Sequence, residues 1–188
     1  FVNSTDAPFA PLVARLNEGV TPVSLMEALA QGPEASLPLV SLLGGTQIGP
    51  QSSFNATFDL KPGTHVVLNF AGESAPQLFT VAEGNVSAET APEADVTVSL
   101  LDFAFSLPTT ISAGEQTWAL ENKGEQWHEM GIYRIDDSTT IAELRDIMQQ
   151  MVSSDAAAEL PVEQVGFWMP LQQHERAWFN INLDAGTY

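Results

Sequence analysis

The chain has 188 residues, of which 44% are hydrophobic, and its six basic and 24 acidic residues give a formal net charge of -18. The hydrophobic fraction predicts packed cores rather than a disordered chain, and the acidic balance argues against nucleic acid or anionic lipid as a partner, because phosphates would be repelled. The chain has no cysteine, and no apolar run reaches the ~18 residues of a membrane-spanning helix, so no transmembrane segment is predicted in this chain.

Short strands and one helix are predicted for the first part of the chain. Alternation of apolar and polar residues indicates strands, and the segment from Pro22 to Ala30 is predicted to be the counterpart of a helix in the second copy, with Pro22 suited to its first turn. Residues 84–94, rich in Ala and Glu, are predicted to be a linker. The predicted strands are 12–16, 39–43, 54–60, 65–70 and 78–81, and the predicted helix is 22–30.

The second part of the chain follows a similar plan. An amphipathic helix is predicted between Thr140 and Val152, where apolar residues recur at helical spacing. A further strand is expected to begin at Thr187. Many short strands with little helix are typical of an antiparallel β-sandwich. The remaining predicted strands are 95–100, 102–107, 116–121, 129–135, 165–169 and 177–183.

One passage of the sequence occurs twice. Residues 1–16 align with 120–135 at a separation of 119 positions, which places Asn3 on Asn122 and Phe9 on His128. Residues 58–65 align with 181–188 at a separation of 123. The repeat predicts a tandem of one domain type. The first copy is domain 1 (1–83), residues 84–94 are the linker, and the second copy is domain 2 (95–188). The first strands of copy one and the last strands of copy two are expected to lie outside the chain.

The residues around His128 carry a resemblance to a known family. A strand, an Asn-x-Gly turn and a His that opens the next strand occur in order in Leu120–Met130, Leu-Glu-Asn-Lys-Gly-Glu-Gln-Trp-His-Glu-Met. With the preceding Phe-Ala-Phe-Ser-Leu-Pro and the closing Leu-Asp-Ala-Gly-Thr-Tyr, this pattern resembles the bacterial extracytoplasmic cupredoxin-like domains. The resemblance covers most of both copies. It implies an all-β protein of two antiparallel Greek-key β-sandwiches, each with a short inserted helix, in the periplasm or at the cell surface.

The same resemblance implies a metal role for His128. In cupredoxins the His after the Asn turn is the first copper ligand, so copper is implied in domain 2 of a complete protein. Electron-transfer copper takes two imidazoles and one thiolate, so the other ligands are expected outside this cysteine-free chain. The alternative is a strand-edge His that hydrogen-bonds neighbouring backbone. The first copy, with Phe9 in this position, is expected to be metal-free. His65 and His174 share no ligand spacing and are predicted to be surface or interface residues.

All four tryptophans belong to the second copy. Partly exposed Trp is common at protein interfaces. An aromatic docking surface around Trp127 and Trp168 is therefore one prediction, and ordinary core packing is the other. No nucleophile elbow, phosphate-binding loop or His pair at metal spacing occurs, so the chain is not predicted to be an enzyme.

The resulting hypothesis is a non-catalytic accessory subunit. The protein is predicted to be a structural component of a larger assembly outside the cytoplasm, either a membrane electron-transport or photosynthetic complex or a surface filament. Its expected partners are other protein subunits, reached by association with a membrane complex or by self-assembly. The alternative function is a copper-binding electron-transfer protein with the metal in domain 2.

Overall fold

The structure is a computed structural model that describes residues 1–71, 74–84, 91–153 and 160–188. The linker predicted at 84–94 lies largely outside the described residues. In the first copy, the predicted strands and helix are confirmed to within a few residues. The elements are β1 (Val2–Asn3), β2 (Pro11–Leu16), α1 (Pro22–Gln31), α2 (Pro33–Ser36), a 3-10 turn (Leu37–Leu39), β3 (Val40–Gly45), β4 (Ser52–Ser53), β5 (Ala56–Phe58), β6 (Gly63–Asn69) and β7 (Gln77–Val81).

The second copy is likewise built from strands with one helix. Residues 184–188 form no strand, so the strand expected to begin at Thr187, of which the chain holds only two residues, stays a prediction. The other predicted elements are present. They are β8 (Val96–Leu101), β9 (Ala104–Ser106), β10 (Gly114–Asn122), β11 (His128–Ile135), α3 (Ile141–Ser153), β12 (Val162–Leu171) and β13 (Arg176–Leu183).

Two large sheets organise these strands, beside a small pair formed by β1 and β4. The order is β5-β13-β10-β8-β9 in the five-stranded sheet and β11-β12-β3-β2-β6-β7 in the six-stranded sheet. Each sheet therefore contains strands from both copies: β5 pairs with β13, and β3 pairs with β12. The protein is predominantly β, as the sequence predicts.

The prediction of a purely antiparallel arrangement is wrong at one pair of strands. β8 and β10 run parallel, with Val96 opposite Trp118, whereas the other strand pairs of the described residues are antiparallel. β8 and β9 form a hairpin at one edge of the sheet, and residues 107–113 cross to the other side of β8, where β10 begins. β10 therefore runs in the same direction as β8.

Two apolar cores hold the fold together. The larger core lies between the two sheets, as in a sandwich, and includes buried side chains of β8, β10 and β13 facing those of β11 and β12, with three half-buried residues of the first copy packed against it: Phe54, Ala56 and Phe58. The smaller core lies on the first copy's part of the six-stranded sheet, where α1 inserts the completely buried Leu25. Burying one such side chain contributes roughly 2 to 3 kcal/mol.

The two longer helices differ in how they pack. α1 begins with a Thr21–Ser24 capping box and buries Leu25 and Ala28. α3 begins with the equivalent device, in which Thr140 and Glu143 bond one another's backbone and side chain, yet none of its residues 141–150 is buried. Within the described residues, no helix has both the length and the hydropathy to span a membrane.

The aligned asparagines organise equivalent turns, beginning with Asn3 in the first copy. This side chain is buried, and its Nδ2 donates to the carbonyl oxygens of Ala7 at 2.8 Å and Ile48 at 3.3 Å. Its Oδ1 accepts from the backbone N–H of Thr5 at 3.1 Å. A buried amide needs such partners, because an unpaired polar group costs free energy in an apolar surrounding. Asn3 thereby fixes the turn that leads the chain into β2.

Candidate functional site: the turn before β11 and the edge of β11

The turn between β10 and β11 is built around the buried Asn122. Its Nδ2 donates to the carbonyl oxygens of Gln126 at 2.7 Å and Leu171 at 2.8 Å, and its Oδ1 accepts from the N–H of Gly124 at 2.9 Å. Asn3 bonds the same three positions in the first copy. The repeat alignment places each partner of Asn122 on a partner of Asn3, at a separation of 119 or 123 positions. The alignment of the two copies therefore extends to individual hydrogen bonds.

This turn places His128 at the start of β11, beside Asp102. Nε2 of His128 lies 3.0 Å from Oδ1 of Asp102, whose carboxylate also accepts from the backbone N–H of Glu125 at 3.0 and 3.1 Å. The Glu125 N–H, followed by the His128 bond, lowers the pKa of Asp102, since both stabilise the carboxylate. Gly124 permits this approach, because a Cβ there would lie 2.3 Å from Nε2 of His128.

The residues present do not by themselves fit an electron-transfer copper centre. Such a centre requires a thiolate, and the chain has no cysteine. Met130, on the same strand, is buried in the larger core. In the described ranges, no three His, Cys, Asp or Glu side chains are grouped as metal ligands would be. His128 bonds the carboxylate of Asp102 instead of neighbouring backbone, and its role as a metal ligand stays a prediction.

The two tryptophans predicted at a docking surface lie in different environments. Trp127 is 47% exposed at the turn before β11. Trp168 is completely buried, with ring centroids 6.3, 5.8 and 5.3 Å from those of Phe54, Phe58 and Phe179. The structure thus places Trp168 in the core instead of on the surface, and Trp127 is the residue of this pair that a partner can reach. The other two tryptophans, Trp118 and Trp178, are also buried.

Further aromatic surface occurs next to Asp102. Phe103 follows it with a φ of 63° and a fully exposed ring, and Phe105 is more than half exposed. Leu107 is exposed as well. Alternation in 102–107 predicts a strand with one apolar face in the core, but β9 lies at the edge of its sheet, so this face meets solvent. The exposed aromatic surface of the described residues is therefore larger than the sequence indicates.

The edges of the six-stranded sheet distinguish the two copies. In the first copy, β2 is hydrogen-bonded on both sides, to β3 and to β6, and the latter pairing reaches from Pro11 opposite Asn69 to Arg15 opposite His65. In the second copy, β11 pairs with β12, the counterpart of β3. Within the described residues, β11 is the edge strand on its other side.

One hydrogen bond shows where the counterpart of β6 would lie. The N–H of Ile135 donates to the carbonyl oxygen of Thr187 at 2.8 Å, on the free side of β11. By the repeat alignment these residues correspond to Leu16 and Thr64, the next step in the register of β2 and β6. Residue 187 therefore already follows the line of a β6-like strand. Among the described residues, no strand pairs with that side of β11.

The prediction that His65 is a surface or interface residue is wrong, because its side chain is completely buried in β6. Nδ1–H donates to the carbonyl oxygen of Gly63 at 3.2 Å, and the ring stacks on Phe79. Nε2 has no hydrogen-bond partner among the described residues. Burial, the largest cause, together with the nearby Arg15, lowers the pKa of His65, because both disfavour the imidazolium. His174 is exposed, as predicted.

The burial of His65 makes stability depend on pH. Since its pKa is lower in the folded protein than the usual 6.5, the unfolded chain binds the proton more tightly, and stability falls as pH drops from 6.5 toward the folded-state pKa. We expect urea unfolding to show this loss between pH 7.5 and 5.5, and a smaller loss in His65→Phe, which keeps the ring stack. The exposed His174→Gln is the control. An unchanged pH dependence in His65→Phe would contradict the assignment.

An ion-pair cluster around the buried Glu175 joins the two copies. Glu175 is buried, and its carboxylate lies 2.9 and 3.0 Å from Nζ of Lys61 and 3.8 Å from the guanidinium of Arg15. These partners are 114 and 160 positions away in the sequence, so no local pattern indicates the cluster. Removing one partner of a buried pair leaves the other charge uncompensated. The cluster therefore fixes the turn before β13 against β2 and β6.

In comparisons with models of protein families, with curated proteins and with solved structures, this chain matches none of them.

Proposed function

We propose that this protein is a non-catalytic, extracytoplasmic accessory subunit with a cupredoxin-like β-sandwich fold of Greek-key type, and that it attaches to a larger assembly by accepting a strand on β11. The observation that carries the proposal is that β11 is an edge strand among the described residues, whereas its counterpart β2 is paired on both sides. Unpaired strand edges are templates for a strand from another chain.

The direction of the backbone N–H groups shows which of them can bond a strand added to β11. The N–H of Asp136 donates to Pro161, on the side of β12, and the N–H of Ile135 donates to Thr187, on the free side. Because successive residues of a strand point their N–H groups to opposite sides, the N–H of Tyr133 faces the free side. Each backbone bond to an added strand contributes about 1 kcal/mol net. Three or four such bonds fix the register of an added strand but contribute only modestly to its binding affinity.

Trp127 and its surroundings supply apolar contact next to this edge. The ring lies half-exposed immediately before β11, and Phe103 follows the Asp102 that bonds His128. Half-exposed aromatic residues are frequent anchors of protein interfaces. The net charge of -18 favours a partner whose surface carries positive charge. Trp127 is therefore an exposed aromatic contact at the start of the strand that accepts the partner.

Replacing Tyr133 by proline tests strand addition. A synthetic peptide with the sequence of β6 (residues 63–69) serves as the donated strand, labelled for fluorescence anisotropy. Tyr133→Pro removes the N–H that faces the free edge and adds a ring that obstructs the approaching strand. We expect it to weaken peptide binding at least tenfold. Tyr133→Ala, which keeps the N–H, is expected to stay within about threefold of the unmodified protein.

The interpretation of this experiment depends on fold and sequence controls. Both variants should unfold in urea near the midpoint of the unmodified protein, because Tyr133 is exposed and its N–H does not face β12. A peptide of scrambled sequence should not bind. Failure of the unmodified protein to bind the β6 peptide, or equal binding by Tyr133→Pro, contradicts the proposed function.

A further inference from the structure

We propose that a cleft between the two copies binds a neutral saccharide of one or two rings. The cleft has a volume of about 450 Å³ and lies between residues 46–49 with Phe54 of the first copy and residues 164–167 and 179–182 of the second. Its volume falls within the range of about 300 to 1,000 Å³ that is typical of small-molecule sites. The site is separate from β11 and does not depend on the proposed function.

The cleft occurs where strands of the first copy stop short of the strands that they join. β5 pairs with β13 only from Ala177 to Phe179, and β3 pairs with β12 only at Leu171. Beyond these points, no strand of the described residues pairs with the first-copy side of residues 164–167 in β12 or of residues 181–183 in β13. Two strand edges, one from each large sheet, therefore border the cleft.

The repeat shows that the cleft takes the place of a contact that is closed elsewhere. Leu171 of the second copy lies opposite Leu43 of the first. The equivalent of Leu171 is Ile48, because each accepts a hydrogen bond from the buried Asn of its copy. The equivalent of Leu43 is Val165, because each is the extra residue at a register shift of its strand. Ile48 and Val165 line the cleft instead of pairing with each other. One of two equivalent contacts between the copies is thus closed, and the other is open.

Hydrogen bonds hold the first-copy wall of the cleft in place. The N–H of Phe9 donates to the carbonyl oxygen of Ile48 at 2.9 Å, and the N–H of Ile48 donates to that of Phe9 at 2.7 Å. The hydroxyl of the buried Thr46 donates to the carbonyl oxygen of Phe167 at 2.7 Å, which ties this wall to β12. The cleft is therefore preformed, and a small ligand has little chain to order when it binds.

The two strand edges supply neutral hydrogen-bonding groups. The N–H of Asn180 donates to the carbonyl oxygen of Asn55 at 3.3 Å. Because residues two apart in a strand point their backbone groups to the same side, the N–H and C=O of Asn182 also point away from β10, where β5 no longer pairs. In β12, the C=O of Phe167 accepts from Thr46, so its N–H points to the first-copy side as well. Each edge therefore directs both backbone donors and backbone acceptors toward the cleft.

The residues that line the cleft carry no charge, although the chain has 24 acidic and six basic residues. The exposed amides of Gln47 and Gln164 add a donor and an acceptor to each of two walls. A charged ligand would find no opposite charge here, and a purely apolar ligand would cover backbone groups without bonding them. The ligand that fits is neutral and both donates and accepts hydrogen bonds.

The cleft also offers apolar surface at the border of the larger core. Phe54, Val165 and Ile181 pack against that core, are half-buried, and line the cleft. The ring of Phe54 stacks on that of Phe179, with centroids 6.0 Å apart, which fixes its orientation. A sugar ring combines hydroxyl groups, each a donor and an acceptor, with a face of C–H groups that packs on an aromatic ring. A neutral saccharide therefore matches both the strand edges and the apolar surface.

The test titrates methyl glycosides of glucose, galactose, mannose and N-acetylglucosamine into nitrogen-15-labelled protein and follows the backbone amide signals. We expect at least one of them to bind with a Kd of about 1 mM or below and to shift the signals of Thr46, Gly166 and Asn182. The methyl glycoside of glucuronic acid, which carries a carboxylate, should bind at least tenfold more weakly than the best neutral glycoside. Binding by none of the neutral glycosides, or shifts that leave these three signals unchanged, overturns the site. Equal binding of the glucuronide overturns the assignment of a neutral ligand.

Two phenylalanine variants separate ligand contact from stability. Phe54→Leu removes the aromatic surface from the cleft and should weaken the best glycoside at least tenfold. Phe58→Leu is the matched control, because Phe58 packs against the same core and near the same Trp168 ring but does not line the cleft. It should bind within about twofold of the unmodified protein, while both variants lower the urea midpoint to a similar extent. Equal affinities of the two variants overturn the site.

A second pair of variants leaves the core untouched. Gln47→Ala with Gln164→Ala removes the two exposed amides from the cleft and should weaken the best glycoside at least fivefold. Gln126→Ala with Gln149→Ala removes two exposed amides outside the cleft and should leave the affinity unchanged. Both double variants should unfold like the unmodified protein. Unchanged affinity in Gln47→Ala with Gln164→Ala overturns the part assigned to these amides.

Discussion

Replacing Trp168 by alanine is expected to lower the free energy of unfolding by about 4 kcal/mol. The indole is completely buried and contacts three phenylalanines, with centroid distances of 5.3 Å to Phe179, 5.8 Å to Phe58 and 6.3 Å to Phe54. Removing so large a side chain loses apolar burial and leaves a cavity that rigid neighbours fill only in part, which typically costs about 3 to 5 kcal/mol. Urea unfolding followed by far-ultraviolet circular dichroism measures the change.

The matched variant Trp168→Phe separates packing from polarity. Nε1 of the indole has no hydrogen-bond partner among the described residues and lies against Gly44, where a Cβ would be 2.0 Å away. Phenylalanine keeps most of the aromatic contact and removes the unpaired N–H, whose burial costs about 1 to 3 kcal/mol. Trp168→Phe should therefore cost no more than about 2 kcal/mol. Equal effects of alanine and phenylalanine, or a loss below 1 kcal/mol for alanine, contradict this description of the core.

Trp168 also couples the two copies energetically. Phe54 and Phe58 belong to the first copy, and they pack on a core whose other members come from the second. Strand pairing in both sheets also links the two copies, and so do the Glu175 ion pairs with Lys61 and Arg15. Loss of the Trp168 ring therefore weakens contacts on which both copies depend. A destabilising mutation on one side of the residue 84–94 segment is therefore expected to lower the stability of the part on the other side as well.

The positions of the strands and helices could be predicted because the signals are local. Alternation of apolar and polar residues identifies strands such as β8, helical spacing identifies α3, and the repeat with Pro22 identifies α1 as its counterpart, each within a few residues of the observed bounds. Which strands lie side by side is a different kind of information. The pairing of β5 with β13 and of β3 with β12 joins residues more than 110 positions apart, and no short-range pattern indicates it.

The candidate site was predictable only where the repeat contributes information. Alignment of the two copies identifies Asn122 as the organiser of the turn and places His128 at the start of β11. Asp102, which bonds His128, comes from the β8–β9 hairpin and carries no signal in the sequence. The lack of ligand spacing carries no information about the burial of His65, which depends on its place in β6 between β2 and β7 and on the ring of Phe79 stacked against it.

Asn122→Ala is expected to lower the free energy of unfolding by about 3 kcal/mol. The variant removes three buried hydrogen bonds, to Gln126, Leu171 and Gly124, and each contributes about 1 kcal/mol net, with a larger cost where the former partner stays buried and unpaired. Loss of the turn also releases His128 from Asp102. The same measurement on Asn3→Ala should give a similar loss, since Asn3 makes the equivalent bonds in the first copy.

The isosteric variant Asn122→Asp shows whether the hydrogen bonds or the shape of the side chain stabilise the turn. Aspartate keeps the size of the residue and one acceptor oxygen, but it replaces the Nδ2 donors by an oxygen that faces the carbonyl oxygens of Gln126 and Leu171. Because that contact is repulsive and the site is buried, Asn122→Asp should destabilise at least as much as alanine at pH 7. If Asn122→Asp leaves the free energy of unfolding unchanged at pH 7, the two donor bonds do not stabilise the turn. The equivalent hydrogen bonds of the two copies then do not contribute to stability.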